Sequence, residues 1–166
     1  MTLDVSDRTS ATKKRRQEMT TSELEQTRRI VVGVDGSLSS TAALTWAVRQ
    51  AELTGSRLDV ITTWEWPTAA GLGMTTTSDF DPREDAQRIL DSALVTAHAV
   101  GGGVDIRSHV VAGPAGSALV DASRGADLLV VGCRGHGELA GLLLGSVSEH
   151  CVTHAHSPVL VVRDGE

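Results

Sequence analysis

The sequence has few aromatic residues and little lysine. It contains three tryptophans, one phenylalanine and no tyrosine, and its only lysines are Lys13 and Lys14. Proteins that bind single-stranded nucleic acids stack the bases on aromatic rings. The formal net charge is −6, and residues 1–27 carry five basic and five acidic side chains, so the excess negative charge lies in residues 28–166. An acidic domain does not attract a polyanion, and we predict no nucleic-acid partner.

Features of secreted and membrane proteins are also missing. Two cysteines, Cys133 and Cys151, are too few for a disulfide framework in a domain of this size. No segment approaches the roughly 18 consecutive apolar residues that a membrane span needs. The first residues contain no apolar stretch of the kind found in secretory signals. We therefore predict a cytoplasmic protein that is not bound to a membrane.

Residues 1–27 differ in composition from the rest of the chain. They are polar, rich in serine and threonine and free of aromatic residues, and this composition is typical of a disordered tail. The basic cluster at 13–16 could indicate a nuclear or nucleic-acid patch, but we interpret it as part of this solvated tail. Residues 28–166 have no internal repeat and a length suited to one domain.

Strands and helices alternate along that domain. A continuous β-branched run at 30–34 is typical of a strand buried on both faces of a parallel sheet, and further strands are predicted at 58–64, 104–111, 128–131 and 159–162. Helical patterns lie between them at about 40–54, 82–99, 114–124 and 145–154, and a long loop spans 65–80. The order predicts an α/β fold in which helices cover both faces of a parallel, doubly wound sheet.

Three details of the helices are also predicted. Ser39 or Ser40 caps the first helix, and Asp81 followed by Pro82 opens the second. The ring of Trp46 is expected in the core because its helix is otherwise rich in alanine.

The loops at one edge of the sheet are the expected ligand site. In parallel sheets, ligands bind beyond the carboxyl ends of the strands, where the strand order reverses. The relevant loops surround Asp35, residues 63–65 and residues 132–146. The last loop is much longer than usual and contains five glycines, which allow close backbone approach to a ligand. Ser146 follows at a helix start, where it can cap the helix, bind a phosphate or hold a phosphate-bound metal.

The spacing Gly132-x2-Gly135-x9-Gly145-Ser146 resembles the nucleotide-binding signature of the universal stress protein family, in the form typical of its ATP-binding branch. The segments 30–37 (IVVGVDGS), 126–132 and 157–162 are similar to the same family, so the likeness covers residues 29–163. The resemblance implies a five-stranded sheet of order 3-2-1-4-5, an adenine nucleotide as ligand and a homodimer paired through the last strand.

The resemblance also implies a set of site residues. Gly33, Val34 and Asp35 would contact adenosine, and Thr63 would lie against the adenine. The residues around the ribose and phosphates would be Gly132, Gly135, Gly145, Ser146 and Val147. The intervening loop residues Cys133, Arg134, His136 and Gly137 complete the predicted site.

Several of these side chains have alternative interpretations. Arg134 either clamps a phosphate or is an ordinary exposed loop residue, and Cys133 is either a reactive thiol or a packing residue. Asp35 binds the ribose, holds a metal or caps its own turn. Because no lysine follows Lys14, ATP is expected to need Mg²⁺ or Mn²⁺, held by its phosphates with Asp35 or Ser146.

A zinc site is conceivable near the end of the chain but is disfavoured. His150, Cys151, His154 and His156 lie close together in sequence, yet no second Cys or His pair accompanies them at finger-like spacing. Val147 and Cys151 are expected to face the core on the same helix.

The sequence favours a binding protein over an enzyme. It lacks the Gly-Lys-Ser/Thr phosphate loop, the G-x-G-x-x-G dinucleotide fingerprint and the Gly-x-Ser-x-Gly nucleophile motif. The glycine-rich loop predicts an ATP-binding regulatory protein with, at most, slow hydrolysis and an unidentified protein partner, and the family resemblance implies a role in stress physiology. The alternatives are a slow ATPase or nucleotidyl-transfer enzyme, and a structural dimer whose pocket is vestigial or binds a cyclic adenine nucleotide.

Overall fold

The computed structural model describes residues 28–66, 81–135 and 144–163. The predicted tail and most of the predicted 65–80 loop lie outside these residues. The strands are β1 (Arg29–Gly33), β2 (Arg57–Trp64), β3 (Ile106–Ala112), β4 (Leu128–Gly132) and β5 (Val159–Val162). The helices are α1 (Leu38–Thr54), α2 (Pro82–Val100), α3 (Ala115–Ala122) and α4 (Ser146–His154). No described helix has the length and apolar character that crossing a bilayer requires.

All neighbouring strands are parallel, and their order is β3-β2-β1-β4-β5. Helices α1 and α2 pack on one face, and α3 and α4 on the other. The predicted fold class, strand order and two-sided covering are therefore confirmed. The strand order reverses between β1 and β4, because β1 is followed along the chain by its neighbour β2, whereas β4 is reached only after β3.

The two faces of the sheet bury two separate groups of apolar side chains. Neighbouring residues of a strand point to opposite faces, so Val32 packs with α1 and α2, whereas Val31 packs toward α3 and α4. Both valines are fully buried. The continuous β-branched run of β1 is thus explained by burial on both sides.

Two predicted details of α1 are wrong. Its N-cap is Ser37, whose side chain accepts a hydrogen bond from the backbone N–H of Ser40, while Ser39 and Ser40 already belong to the helix. Trp46 is 38% exposed. The positions of α1 that face the sheet carry small residues such as Ala43 and Ala47, which let the helix approach closely and leave the large ring on its outer flank.

The second helix begins as predicted. Pro82 is its first residue, and the Asp81 carboxylate caps it by accepting a hydrogen bond from the backbone N–H of Arg83 at 2.8 Å. Proline suits this position because its fixed φ matches the helix and its missing N–H would have no partner there.

Candidate functional site

A cavity of about 290 Å³ opens at the carboxyl ends of β1, β2 and β4, at the point where the strand order reverses. We call it the edge cavity. The described residues that line it are Gly33, Val34, Asp35, Ser40, Ile61, Thr62, Thr63, Ile89, Ala115, Leu119, Val131, Gly132, Arg134, Gly135, Gly145, Ser146, Val147 and Ser148.

The turn after β1 is held by Asp35. Its Oδ1 accepts hydrogen bonds from the backbone N–H of Ser37 at 3.0 Å and from the Ser37 hydroxyl at 2.6 Å. Gly36 between them has φ of 85°, a conformation that favours glycine. Asp35 therefore caps its own turn, as one interpretation of the sequence expected. Its second oxygen, Oδ2, faces Gly135, since a Cβ on Gly135 would lie 2.5 Å from it.

The loop after β4 is packed against the start of α1. A Cβ on Gly132 would lie 2.6 Å from Ser39 Oγ and 2.8 Å from both the Ser39 carbonyl carbon and the Ser40 nitrogen. The Ser39 hydroxyl also donates a hydrogen bond to the carbonyl oxygen of Arg134. The main chain at Gly132 thus lies directly against the start of α1, and position 132 has no room for a side chain.

The two ends of the glycine-rich loop lie close together. The backbone N–H of Gly145 donates to the carbonyl oxygen of Cys133 at 2.8 Å. The Ser148 hydroxyl hydrogen-bonds the same carbonyl at 3.0 Å and the Gly145 carbonyl at 2.9 Å. These contacts bring the start of α4 beside Arg134 and Gly135, so the helix begins at the cavity.

The N-terminus of α4 carries no side-chain cap. Gly145 is the N-cap residue and Ser146 is the first helical residue, so capping, one of the three roles considered for Ser146, is wrong. The first N–H groups of a helix have no partner within it, and together with the helix dipole they favour an anion. Ser146 and Val147 line the cavity, so this end of the helix faces the space where a ligand would lie.

Ten of the thirteen predicted site residues line the edge cavity: Gly33, Val34, Asp35, Thr63, Gly132, Arg134, Gly135, Gly145, Ser146 and Val147.

Val147 is 36% exposed, so its predicted position in the core is wrong. Cys133 is buried behind the loop, where its N–H donates to the carbonyl of Val162 at 2.7 Å. His136 and Gly137 lie outside the described residues. The predicted contacts of all thirteen with a nucleotide stay predictions.

Sequence reasoning missed several lining residues. Ile61 and Val131 lie near the ends of β2 and β4, so strand alternation could have suggested them. Ile89 and Leu119 come from the middle of α2 and α3, and no local pattern marks them. They reach the cavity only because those helices pack on opposite faces of the sheet, and the Cδ1 of Leu119 would lie 2.7 Å from a Cβ on Gly33.

The lining combines an apolar part with a polar part. Side chains of Ile61, Ile89, Leu119 and Val131 form the apolar part, and Asp35, Arg134, Ser146 and the glycine backbone form the polar part. A cavity of this kind suits a ligand that has a flat apolar ring at one end and an anionic group at the other.

The cysteine and histidine residues of α4 form no metal centre with the rest of the described chain. No group of three or more His, Cys, Asp or Glu side chains in that part is placed to hold a metal ion. The rings of His150 and His154 stack with centroids 4.4 Å apart. Cys151 is fully buried, and burial raises the pKa of its thiol to about 11.

A family model described as the universal stress protein family matches residues 26–163. The chain is 36% identical over 145 residues to a universal stress protein of Mycobacterium tuberculosis, covering 81% of this chain and 47% of that protein. It is 35% identical to one from Mycolicibacterium smegmatis, with the same coverage of each. The chain thus spans about half the length of these curated relatives.

Solved structures resemble the fold. A universal stress protein in complex with cAMP is 33% identical, with a TM-score of 0.62, and the match covers 83% of this chain and 98% of that one. A universal stress protein from Archaeoglobus fulgidus in complex with dAMP is 23% identical, with a TM-score of 0.61 and coverage of 81% and 97%. The second likeness supports the fold alone.

Replacing Gly132 with alanine tests the packing between the two loops. We expect G132A to lower the free energy of unfolding by about 1–3 kcal/mol, because the new methyl group overlaps the main chain of α1. The matched control is G102A, since a Cβ there meets no atom within 4 Å. Urea unfolding followed by circular dichroism measures both. Equal stability of the two variants would contradict the close approach at 132.

Thiol titration tests the burial of the two cysteines. With a pKa of about 11, about one Cys151 thiol in a thousand is ionised at pH 8. Cys133 is also buried, so a reagent in solution cannot reach its sulfur. We expect a colorimetric disulfide reagent to modify neither thiol at pH 8 until denaturant is added. The variants C133A and C151A assign any residual signal. A rapid reaction that C133A abolishes would restore the reactive-thiol interpretation of Cys133.

Proposed function

The chain belongs to the universal stress protein family, and we propose that it is a regulatory protein that binds an adenine nucleotide, ATP, in the edge cavity. The observation that carries this proposal is the continuity between an apolar compartment and an uncapped helix N-terminus within one cavity. A nucleotide has the same division, with an aromatic base at one end and phosphates at the other.

The base occupies the apolar part of the cavity, which reaches both faces of the sheet. Ile61 and Val131 border it from the sheet, Leu119 borders it from α3, and Ile89 borders it from α2. Thr63 lies at the same edge, in agreement with the role that the family resemblance implies for it. The ribose then lies beside Asp35, whose Oδ2 faces the loop at Gly135.

The phosphates lie at the start of α4. Backbone N–H groups of its first turn and the adjacent glycine backbone supply the hydrogen bonds, as at other helix N-termini that bind phosphate. Among the described lining residues, Arg134 is the single cationic side chain. A triphosphate therefore requires Mg²⁺ or Mn²⁺, and the carboxylate of Asp35 and the hydroxyl of Ser146 are oxygen donors of the kind these ions prefer.

A cyclic adenine nucleotide is the second candidate ligand. One solved universal stress protein that is 33% identical to this chain is in complex with cAMP. Such a ligand carries a single phosphate charge, which the α4 N-terminus and Arg134 can match without a metal ion. ATP and cAMP are therefore compared directly in the binding experiment below.

Binding is proposed to be coupled to regulation, with slow hydrolysis at most. Among the described lining residues, Asp35 is the single carboxylate, and it is already engaged in holding its own turn. Efficient phosphoryl transfer uses several positioned charges. We propose a stress-related role in the cytoplasm with a protein partner, on the basis of family membership. Because the chain spans about half the length of its curated relatives, these roles of the whole protein are proposals.

The homodimer is proposed to form through β5. This strand ends the sheet beyond β4. The carbonyls of Pro158 and Val162 accept hydrogen bonds from the backbone N–H groups of Leu129 in β4 and of Cys133 directly after it. Because backbone groups of a strand alternate in direction, Val159 and Val161 direct their N–H and C=O groups away from β4. An aliphatic edge with outward hydrogen-bonding groups suits pairing with a second copy of the same strand.

Calorimetry with the variant R134A tests the phosphate subsite. We expect wild-type protein to bind ATP with Mg²⁺, and R134A to bind it roughly 10- to 100-fold more weakly because a charge-assisted hydrogen bond is lost. Adenosine affinity should change less than about twofold, since adenosine has no phosphate. The control is R124A, an exposed arginine paired with Asp121 and absent from the cavity lining.

The result separates the candidate ligands. If R134A weakens ATP and cAMP binding to a similar extent, the phosphate groups of both ligands lie beside Arg134. If it weakens adenosine binding equally, Arg134 has no specific role in binding phosphate. No heat from the wild-type protein with ATP, cAMP or AMP, with or without Mg²⁺, would overturn the proposed function.

Proline substitution at the sheet edge tests the dimer. V161P removes an outward N–H of β5 and is expected to convert the dimer to a monomer in light scattering at micromolar concentration. The matched control is S108P on the opposite edge strand β3. Since the carbonyl of Asp105 accepts from Leu58 of β2, Ser108 likewise directs its N–H outward. Circular dichroism checks that both variants fold. A V161P variant that stays dimeric would exclude pairing through β5.

A further inference from the structure

We propose that the edge cavity has a second compartment on the α1–α2 face of the sheet, where the hydroxyl of Thr62 hydrogen-bonds a neutral group on the base of the bound nucleoside. This inference rests on the proposed function and names a specificity contact within the same site. The compartment is defined by Ser40 of α1, Thr62 of β2 and Ile89 of α2, all of which line the cavity.

Strand alternation places Thr62 in this compartment. Val60, two residues earlier on β2, packs with the residues of α1 and α2, whereas Ile61 packs with those of α3 and α4. Thr62 therefore shares the face of Val60, and Thr63 shares the face of Ile61. Two adjacent threonines at the end of one strand thus border the cavity from opposite sides of the sheet.

The hydroxyl of Thr62 has no partner in the described part of the chain, although the residue is only 3% exposed. Every described side-chain oxygen that is wholly shut off from solvent does have a partner, so this oxygen has to reach the cavity. Ser40 differs, because its hydroxyl donates to the Ser37 carbonyl at 3.0 Å and accepts from the Asp35 N–H at 3.4 Å. In the ligand-free protein, water in the cavity can bond this hydroxyl, so a ligand that displaces the water is favoured when it restores the hydrogen bond and disfavoured when it does not.

The partner group is neutral. Beside Thr62, the compartment is lined by the aliphatic Ile89 and by the hydroxyl of Ser40, and none of these three side chains carries a charge. Transfer of a phosphate into such surroundings is opposed by desolvation. A threonine hydroxyl both donates and accepts, as the amino group and ring nitrogens of adenine require from a partner. Thr62 therefore contacts the base, and the α4 N-terminus contacts the phosphates.

The test compares T62V, which replaces the hydroxyl with a methyl group, and T62S, which keeps it. Calorimetry is carried out with adenosine, ATP with Mg²⁺ and the 2′- and 3′-deoxyadenosines. We expect T62V to bind all four roughly 3- to 10-fold more weakly and T62S to bind within about twofold of wild type. T45V is the control, because Thr45 bonds its own helix backbone and does not line the cavity.

Unfolding of the ligand-free protein provides the second measurement. If the hydroxyl serves a ligand, T62V unfolds at the same or a higher urea concentration than wild type, since no internal hydrogen bond is lost. Reduced stability of T62V would reveal an internal partner and overturn the proposal.

The binding data separate the remaining outcomes. Unchanged affinity of T62V for all ligands overturns this inference while leaving the proposed function intact. If T62V binds adenosine more weakly than wild type but binds one of the deoxyadenosines equally well, the Thr62 hydroxyl contacts the sugar. That result overturns its assignment to the base. If wild-type protein binds none of the four ligands, the proposed function itself fails.

Discussion

The site depends on one close contact between two segments of main chain. Gly132 at the end of β4 lies against the backbone of Ser39 and Ser40 at the start of α1, with no space for a side chain between them. This contact brings the loops after β1 and β4 together at the point where the strand order reverses. The turn at Asp35, the start of α4 and the cavity between them take their positions from it.

The cavity has few charged side chains, so backbone groups provide most of its polar lining. Its described lining includes one arginine and one carboxylate, and the chain has no lysine beyond Lys14. An acidic domain can still favour an anion at one point, because a helix N-terminus concentrates partial positive charge within a single turn. The net charge of −6 therefore determines the electrostatic field far from the protein. Inside the cavity, the local potential is determined mainly by the N-terminus of α4.

Much of the fold could be predicted from the sequence because local patterns encode it. The continuous apolar runs at 30–34, 128–131 and 159–162 marked three of the strands, and Asp81 with Pro82 marked the start of α2. The strand order, in contrast, followed from the family resemblance, since parallel pairing joins segments far apart in the chain. The outward position of Trp46 was not predicted, because helical spacing alone does not say which side of an alanine-rich helix meets the sheet.

The residues of the candidate site likewise include some that the sequence predicts and some that it does not. Glycine spacing indicated the loop at 132–146, since close main-chain approach restricts residue type locally. Ile89 and Leu119 were missed because their place in the lining depends on how α2 and α3 pack. Thr62 was passed over in favour of its neighbour, since the sequence does not reveal that the cavity reaches both faces of the sheet.

The two borders of the sheet differ in composition, and this difference bears on the proposed dimer. β5 presents a short aliphatic sequence at half-buried positions, whereas the other border, β3, includes the exposed polar residues Arg107, Ser108 and His109. Two copies that joined their β5 strands would leave only β3 strands at the outer margins of a continuous ten-stranded sheet. Polar, charged margins resist further strand addition. Assembly would then stop at two subunits. A single subunit has two unpaired edge strands, yet it would not form fibres.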